Sequence, residues 1–232
     1  MAKIDSLAPQ YGISLESMME KAGLHTAELA RRLLGKDYKS KTVCHLAGKG
    51  NNGGDAVASA RHLALSGVKN ILLFSHPFHE LKEAVKAQIL ALPKENVMAI
   101  GIDESKSDSD IMSIIRPSDL IIDGLIGYNL KGEPRGEAAR LIEAANNSGR
   151  TVLSIDVPSG LDSDTGRPSK HTIKARATLT LALPKRGLME KEARKHIGNL
   201  YAGDIGIPPW LYRQIGVDVG AIFSAKSVVK IY

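Results

Sequence analysis

Short apolar runs alternate with amphipathic segments along the first two thirds of the chain. The apolar runs are TVCHLA, NILLFS, VMAI, DLIIDG and TVLSID, and each has the length of a strand. Between these runs, the hydrophobic spacing predicts helices over residues 55–66, 79–92, 109–115 and 136–147. Strands that are apolar throughout and alternate with helices indicate a parallel sheet covered on both faces. The pattern therefore predicts a doubly wound α/β domain.

The two ends of the chain add further elements to this domain. Ser14 can cap a helix whose apolar positions recur at helical spacing from Leu15 to Leu34, with Gly23 in the middle. This segment is either one broken helix or two helices. In the last third, ATLTLAL and NLYAGDIGI predict extra edge strands, and a short helix follows near Pro209. No repeat or linker divides the chain, so we expect residues 1–232 to form a single domain.

The composition is that of an ordinary globular protein with a preference for anionic ligands. The 232 residues are 43% hydrophobic, which is enough for a substantial core. The formal net charge is +6, so anions such as phosphates are attracted at long range. The positive residues are scattered, however, and only 4% of the residues are aromatic, which argues against nucleic-acid binding.

Cysteine usage and hydropathy indicate the compartment. The single Cys44 excludes an internal disulfide and lies in an apolar run, which predicts a buried core thiol rather than a nucleophile. The N-terminal segment has no apolar signal core, and no stretch approaches the ~18 apolar residues of a membrane span. We therefore expect a cytoplasmic protein that does not enter a membrane.

The segment GKGNNGGD joins the first strand to the next helix. Its Gly48, Gly50 and Gly53 match the dinucleotide pattern G-x-G-x-x-G in the required strand-to-helix context. A standard dehydrogenase also has an acidic residue ending the next strand, but that strand ends FSHPFH here, and the first carboxylate is Glu80. A P-loop is excluded because no G-K-S or G-K-T follows. The glycines still let the backbone approach a ligand, and free amides at the helix start favour a phosphate.

Two more strands are followed by polar loops that contain glycine. One loop runs from Asp123 to Glu133, and the other runs from Asp156 to Asp162. The carboxyl ends of parallel strands lie on one edge of a sheet, where α/β proteins bind their ligands. We therefore expect the three loops to line one crevice.

The ordered set of these motifs resembles one known family. The chain carries GKGNNGGD, DGLIGYNLKGEPRG and SIDVPSGLDSDTG, then TLTLALPKRGL and GNLYAGDIGIP, and this set closely resembles the NAD(P)H-hydrate epimerase family, the YjeF N-terminal domain. The resemblance implies a three-layer αβα, Rossmann-like fold with a mostly parallel sheet, and a homodimer. It also implies an isomerase that interconverts the R and S epimers of hydrated NADH and NADPH at C6 of the nicotinamide ring, a repair reaction. The dehydratase domain often fused in this family is not in this chain, so we expect functional pairing with a separate NAD(P)H-hydrate dehydratase.

By motif position, the resemblance implies two groups of site residues. The hydrated dinucleotide would be bound by Asn51, Asn52, Gly53, Gly54, Asp55, Gly127, Tyr128, Asn129, Leu130, Lys131, Gly132, Glu133 and Asp156. One potassium ion per subunit would be bound by Asn52, Asp123 and Ser159. An amide oxygen, one carboxylate and a hydroxyl are hard oxygen donors with a single negative charge, which suits a monovalent cation. Taken singly, Asp123 and Ser159 could instead cap their own turns.

Asp156 is the predicted catalytic residue. Loss of the hydroxyl from C6 and its return on the other face need a group that donates and accepts a proton, and a strand end directs the Asp156 carboxylate into the crevice. The alternative is a carboxylate that only anchors the ligand or caps its own loop. Lys185 in LPKRG is a weaker candidate and is expected to bind phosphate or lie on the surface. Lys131 and Arg135 either add to an anion site or belong to a solvated face.

Two other functions stay open at this point. A non-catalytic nucleotide-binding or scaffold module of the same fold is the main alternative, but it would not need Asn52, Asp123, Asp156 and Ser159 together. An atypical oxidoreductase or other nucleotide-binding enzyme is the third possibility, because the sequence does not show the depth of the crevice.

Overall fold

Residues 2–232 are described by the computed structural model, and their eight strands form one continuous sheet. The strands are β1 (Thr42–Ala47), β2 (Lys69–Phe74), β3 (Val97–Gly101), β4 (Leu120–Gly124), β5 (Thr151–Ile155), β6 (Ala177–Leu181), β7 (Asn199–Gly203) and β8 (Val228–Lys230). The helices are α1 (Ala2–Leu7), α2 (Leu15–Leu34), α3 (Asn51–Leu65), α4 (Glu83–Leu90), α5 (Asp108–Ile115), α6 (Gly136–Asn147), α7 (Arg194–Ile197) and α8 (Pro209–Arg213). Short 3₁₀ turns lie at Ala8–Tyr11, Tyr38–Ser40, Phe78–Glu80, Arg186–Met189 and Lys191–Ala193.

The strands follow the order β3-β2-β1-β4-β5-β6-β7-β8 across the sheet. All neighbouring pairs from β3 to β7 are parallel, and β8 pairs antiparallel with β7. The mostly parallel sheet expected from the sequence is therefore confirmed. The chain builds outward from β1 to β3 and then returns to place β4 on the other side of β1. This reversal of strand order opens a crevice beyond the carboxyl ends of β1 and β4, where α/β sheets bind ligands.

Helices cover both faces of the sheet and bury alternate residues of each strand. Val43 and Ala47 of β1 pack in one core with residues of α2, α3 and α4. Cys44 and Leu46 of the same strand pack in a second core with residues of α5 and α6, which completes the three αβα layers. Cys44 is fully buried, and burial raises the pKa of its thiol to about 12. The prediction of a core thiol is confirmed.

The helix α2 is continuous through Gly23, so neither the broken helix nor the pair of helices considered from the sequence is correct. It begins after Ser14, whose hydroxyl accepts a hydrogen bond from the Ser17 N–H at 3.1 Å. A Cβ on Gly23 would lie 2.4 Å from the Cβ of Ala58 and 2.8 Å from its carbonyl carbon. Glycine is therefore needed here because α2 and α3 pack closely at this point, and the helical hydrogen bonds are kept.

The helix α3 begins at Asn51, four residues earlier than the predicted start at Asp55. The carbonyl of Gly50 accepts hydrogen bonds from the N–H groups of Gly53 at 2.9 Å and Gly54 at 3.3 Å, which form the first helical turn. The glycine loop is thus limited to residues 48–50, and the two asparagines belong to the helix. Glycine content alone disfavours a helix, but these hydrogen bonds form the helical turn despite that preference.

The helix predicted over residues 79–92 is shorter in the structure and starts at Glu83. Leu81 and Lys82 adopt extended backbone conformations between the 3₁₀ turn and α4. The backbone N–H of Lys82 donates to the carbonyl of Lys49 at 3.1 Å, so the chain is tied to the loop after β1 before the helix begins. A long-range hydrogen bond of this kind leaves no mark in the hydrophobic spacing.

The predicted strands and helix of the last third are present, but the expected edge position of the two strands is wrong, because β8 pairs with β7 and leaves β6 and β7 inside the sheet. The strands β6 and β7 extend the sheet, α8 starts at Pro209, and the last residues of the chain supply the antiparallel edge strand β8. Among residues 2–232, no helix has the length and apolar character needed to cross a membrane.

Candidate active site

A cavity of about 680 Å³ lies beyond the carboxyl ends of β1, β2, β4, β5 and β6. Its walls come from the loops after these strands, and side chains of α1 and α2 cover it from one side. The three loops singled out in the sequence all contribute to this cavity, so the expectation of one common crevice is confirmed.

Most of the predicted substrate residues line this cavity, and three glycines do not. The lining includes Asn51, Asn52, Asp55, Gly127, Tyr128, Asn129, Leu130, Lys131, Glu133 and Asp156. Gly53 serves packing, because a Cβ there would lie 1.9 Å from the carbonyl oxygen of Gly48. Gly54 packs against the Met19 side chain, and Gly132 has a positive φ of 73° in its turn. Their predicted contact with substrate stays a prediction.

Asp156 and Lys185 form a buried ion pair on one wall of the cavity. The Lys185 ammonium donates to Asp156 Oδ1, to Thr180 Oγ1 at 3.1 Å and to the carbonyl of Leu181 at 2.9 Å. The Tyr128 N–H donates to the other carboxylate oxygen of Asp156 at 3.0 Å. The side chains of Lys185 and Asp156 are 6% and 7% exposed, so the expected surface position of Lys185 is wrong. Lys185 lies in the loop after β6, and because β6 is the neighbour of β5 in the sheet, the lysine reaches Asp156 at the end of β5.

The backbone of Asp156 has a left-handed conformation with φ of 66°. Such a conformation is uncommon outside glycine, although aspartate tolerates it better than most residues, and it recurs at functional sites. The Asp156 N–H donates to the carbonyl of Leu179 at 2.8 Å, which holds the turn against β6. The turn fixes the carboxylate at the cavity wall, as the strand-end position predicts.

Asp55 is a second buried carboxyl group in the same cavity. Burial raises its pKa well above the ordinary value, and the nearby carboxylates of Asp156 and Asp5 raise the pKa further, while Lys185 acts in the opposite direction. The protonated form of Asp55 is thus favoured relative to an exposed aspartate, whereas Asp156 is paired with an ammonium. Two carboxyl groups with such different surroundings can act as proton donor and proton acceptor.

Asp123 and Ser159 lie together beneath the cavity. Ser159 donates to Asp123 through its hydroxyl at 2.6 Å and its backbone N–H at 2.9 Å, and Ser154 Oγ donates at 2.8 Å. The carboxylate is fully buried, and among residues 2–232 no lysine, arginine or histidine forms a salt bridge with it. Burial raises the pKa of Asp123, and the hydrogen bonds from the serines oppose that rise.

The donor set around Asp123 fits a monovalent cation. The amide group of Asn52 is buried, and both its oxygen and its nitrogen lack a hydrogen-bond partner among the described residues. A cation would satisfy the amide oxygen and offset the buried charge of Asp123, which is otherwise costly. No group of three or more histidine, cysteine and acidic side chains suited to a metal ion occurs in the described part of the chain. Neutral oxygen donors with one carboxylate suit an ion of low charge.

Several cavity residues were not identified from the sequence. Ser75, His76 and Lys82 lie at the end of β2 beside Lys49, and Asp5 reaches the cavity from α1. The hydroxyl of Tyr128 donates to Asp5, so α1 is tied to the loop after β4. From the sequence, FSHPFH at the end of β2 was considered only because it lacks the carboxylate of a standard dehydrogenase, and Ser75 and His76 were not identified as site residues. The position of α1 depends on long-range contacts that periodicity does not show.

Comparisons with known proteins agree with this geometry. The family model described as YjeF-related protein N-terminus matches residues 15–187. A protein of Dehalogenimonas lykanthroporepellens named NAD(P)H-hydrate epimerase is 37% identical over 221 residues, which cover 94% of this chain and 84% of that protein. A protein of the same name from Rhodopirellula baltica is 34% identical and covers 93% and 85% of the two chains.

Two further relatives extend the comparison. A protein of Dictyoglomus turgidum named bifunctional NAD(P)H-hydrate repair enzyme Nnr is 33% identical over 88% of this chain and 38% of its own length. The crystal structure of yeast ynu0, YNL200c, superimposes with a TM-score of 0.81 at 26% identity, and covers 99% of this chain and 96% of that one. The expected family and the αβα fold are both confirmed. The chain belongs to the YjeF-related N-terminal family.

Proposed function

We propose that the chain is an NAD(P)H-hydrate epimerase, an isomerase that interconverts the R and S epimers of hydrated NADH and NADPH at C6 of the nicotinamide ring. The observation that carries this proposal is the presence of Asp156 and Asp55 in one cavity, where one carboxyl group is paired with Lys185 and the other has a pKa raised by burial. The names of the relatives from Dehalogenimonas lykanthroporepellens and Rhodopirellula baltica support the same activity.

The chemistry at C6 requires one proton to be given and one to be removed. The C6 hydroxyl is next to the ring nitrogen, whose lone pair can form a double bond to C6 as the C6–O bond breaks. Asp55 donates its proton to the departing oxygen, which leaves as water. A water molecule then forms a new bond to C6 on the other face and gives a proton to Asp156. Proton transfer of this kind contributes roughly 10²- to 10⁴-fold to a rate.

The reverse reaction uses the same two groups with their protonation states exchanged. Asp156 then donates and Asp55 accepts, so neither epimer needs an additional acid or base. Lys185 donates one hydrogen bond to Asp156 and is itself held by Thr180 Oγ1 and the carbonyl of Leu181, and the Tyr128 N–H fixes the second oxygen of Asp156. Lys185 therefore acts as a positioning residue for the Asp156 carboxylate.

We propose that the phosphates of the substrate lie between α3 and the loop after β4. The N–H groups at the start of α3 and the positive end of its dipole favour an anion there. Lys131 and Arg135 line the cavity, so they are placed to contact an anionic ligand rather than only solvent. Asn51 and Asn129 line the same region and can donate side-chain hydrogen bonds.

We propose potassium as the ion for the oxygen donors of Asn52, Asp123 and Ser159. When bound, the ion would supply the positive charge that the buried Asp123 carboxylate needs. Asn52 also packs next to Gly127, where a Cβ would lie 3.5 Å from its amide oxygen. The Asn52 side chain thereby connects this donor set to the loop that carries the Tyr128 N–H.

The proposal also includes a homodimer and functional pairing with a separate NAD(P)H-hydrate dehydratase. An exposed aromatic pair, Tyr11 and Trp210, stacks edge to face with ring centres 5.1 Å apart and offers a surface for self-association. The bifunctional name of the Dictyoglomus turgidum relative supports the link to a second repair activity. Light scattering during size-exclusion chromatography measures the first point, and a coupled assay with a purified dehydratase measures the second.

The deciding experiment incubates the purified protein with each separated hydrate epimer and follows the epimer ratio by chromatography. We expect both starting epimers to reach the same mixture, and Asp156→Asn to slow this approach by about 10²- to 10⁴-fold. A non-catalytic binding or scaffold module would leave the ratio at its value in buffer. That outcome would overturn the proposed function.

A further inference from the structure

The wall of the cavity at the end of β2 is positively charged. Lys49, Ser75, His76 and Lys82 line it, and we call these four residues the β2-end wall. The backbone hydrogen bond from the Lys82 N–H to the Lys49 carbonyl, 3.1 Å long, holds the two lysines next to each other. Neither lysine is used in the reaction at C6 described above.

The β2-end wall lies several strands away from the ion pair of Asp156 and Lys185. The strands β2, β1, β4, β5 and β6 are consecutive neighbours in the sheet, and Asp156 and Lys185 lie at the ends of β5 and β6. Three steps of roughly 4.8 Å between neighbouring strands separate β2 from β5, the strand that Asp156 follows, about 14 Å in all. When the nicotinamide ring of a dinucleotide is at Asp156, its adenosine half extends towards β2.

In dinucleotide-binding α/β folds, a residue near the end of the second strand binds the adenosine ribose. A carboxylate binds the two free hydroxyls of NAD, whereas a basic side chain accommodates the 2′-phosphate of NADP. In this chain the β2-end wall has no carboxylate of its own. The nearest one, Glu80, lies 3.5 Å from the Lys49 ammonium and is 43% exposed, so it can move into solvent when an anion arrives.

The side chains of the β2-end wall have the donors that a phosphate needs. Ser75 is buried, and its hydroxyl lies 2.9 Å from Nδ1 of His76. When the hydroxyl donates to Nδ1, the His76 proton is on Nε2, which can then donate to a phosphate oxygen. Burial, and then the nearby charge of Lys49, lower the pKa of His76, which shows that the histidine is close to this lysine. Two lysines add hydrogen bonds to an anion that are stronger than neutral ones.

We infer that the β2-end wall binds the 2′-phosphate of hydrated NADPH, and that the enzyme therefore prefers hydrated NADPH to hydrated NADH. This inference rests on the proposed epimerase function, because it places the reacting ring at Asp156. The acidic residue that reads the ribose hydroxyls in NAD-specific folds is replaced by Ser75 and His76, and the charge of that wall is reversed.

The kinetic test compares kcat/KM for the two hydrated coenzymes. We expect the native protein to favour hydrated NADPH by at least about tenfold, and each of Lys49→Ala and Lys82→Ala to remove about tenfold of that preference. Activity on hydrated NADH should change little. The matched control is Lys86→Ala on α4, because the Lys86 ammonium pairs with Glu83 at 2.8 Å and lies outside the cavity lining.

A binding test does not depend on the reaction. Calorimetry with 2′,5′-ADP and with 5′-AMP should show tighter binding of the 2′-phosphate compound to the native protein, and this difference should shrink in both lysine variants but not in Lys86→Ala. Equal affinities, or equal losses for both compounds in the variants, would overturn the inference. A protein that binds 2′,5′-ADP through these lysines but leaves the epimer ratio unchanged would overturn the proposed function alone.

Discussion

The ammonium of Lys185 donates a hydrogen bond to the carboxylate of Asp156, and both side chains are almost fully buried in the cavity wall. The two residues are 29 positions apart in the sequence, and they meet because β5 and β6 are parallel neighbours. This pair, together with the Tyr128 N–H, fixes the carboxylate at which the proposed reaction takes place.

Replacement of Lys185 by methionine should reduce both stability and activity. The Asp156 carboxylate would lose its counterion, which for a buried pair costs about 3–5 kcal/mol in free energy of unfolding. Urea unfolding measures this loss, and the epimer assay should show a fall in kcat. The double variant Lys185→Met with Asp156→Asn should regain stability without activity. The control is Lys191→Ala, because Lys191 is exposed in the same segment. Full kcat in Lys185→Met would restrict the lysine to a structural role.

Asp55→Asn should make the protein more stable at neutral pH. Below the ordinary carboxyl pKa of about 3.9, Asp55 is protonated in the folded and unfolded states alike. As the pH rises, the unfolded state loses this proton first, because the folded-state pKa is raised, so the stability of the native protein falls. Asp55→Asn has no carboxyl group to titrate, so its greater stability in urea unfolding should increase as the pH rises above about 4. An advantage that does not change with pH would contradict the raised pKa.

Asp55→Asn should also abolish most of the epimerase activity, although it stabilises the fold. Asparagine keeps the shape of the side chain but has no acidic proton for the departing oxygen. We expect kcat to fall by about 10²- to 10⁴-fold in the epimer assay. Unchanged turnover would remove Asp55 from the proposed mechanism and leave Asp156 as the only acid and base.

Potassium should stabilise the native protein through Asp123. A ligand at about 100 times its Kd stabilises the folded state by about 2.7 kcal/mol, so Tm should be higher in potassium chloride than in choline chloride. Asp123→Asn should lose this difference because the only carboxylate of the donor set becomes neutral. Asp119→Asn is the control, since Asp119 pairs with Lys41 next to the start of the same strand and should lower Tm equally in both salts. A potassium effect that survives in Asp123→Asn would argue against this site.

Two adjacent glycines of α3 should respond differently to alanine. Gly53→Ala places a Cβ 1.9 Å from the backbone oxygen of Gly48, so the loop must move and stability should fall by about 1–3 kcal/mol. Gly54→Ala meets the end of the flexible Met19 side chain at 2.5 Å, which can shift. Alanine is also favoured over glycine within a helix by about 1 kcal/mol, so Gly54→Ala should be close to neutral. Equal losses in thermal unfolding of the two variants would show that the contact with Gly48 is not the cause.

Strand ends account for most of the site that was predicted from the sequence. Asn52, Asp55, Asp123 and Asp156 follow apolar runs or start the adjoining helix, and the carboxyl ends of parallel strands meet at one edge of the sheet. The surface position expected for Lys185 is wrong because charged residues are usually exposed, and local sequence patterns do not show which distant residue will pair with a buried charge. The same limit applies to Lys82, whose link to Lys49 is a single backbone hydrogen bond between distant segments.

The amino-acid sequence alone thus determines the alternation of strands and helices, the parallel sheet and the three loops at its edge, because these follow from local periodicity and from the geometry of parallel strands. The packed molecule adds three things: the close crossing of α2 and α3 at Gly23, the ion pair of Lys185 with Asp156, and the raised pKa of Asp55. Each of these depends on which distant groups are brought together and on how much water is removed from around them. Burial and neighbouring charge therefore assign Asp55 and Asp156 different roles, although both are aspartates in segments that follow strands of the same sheet.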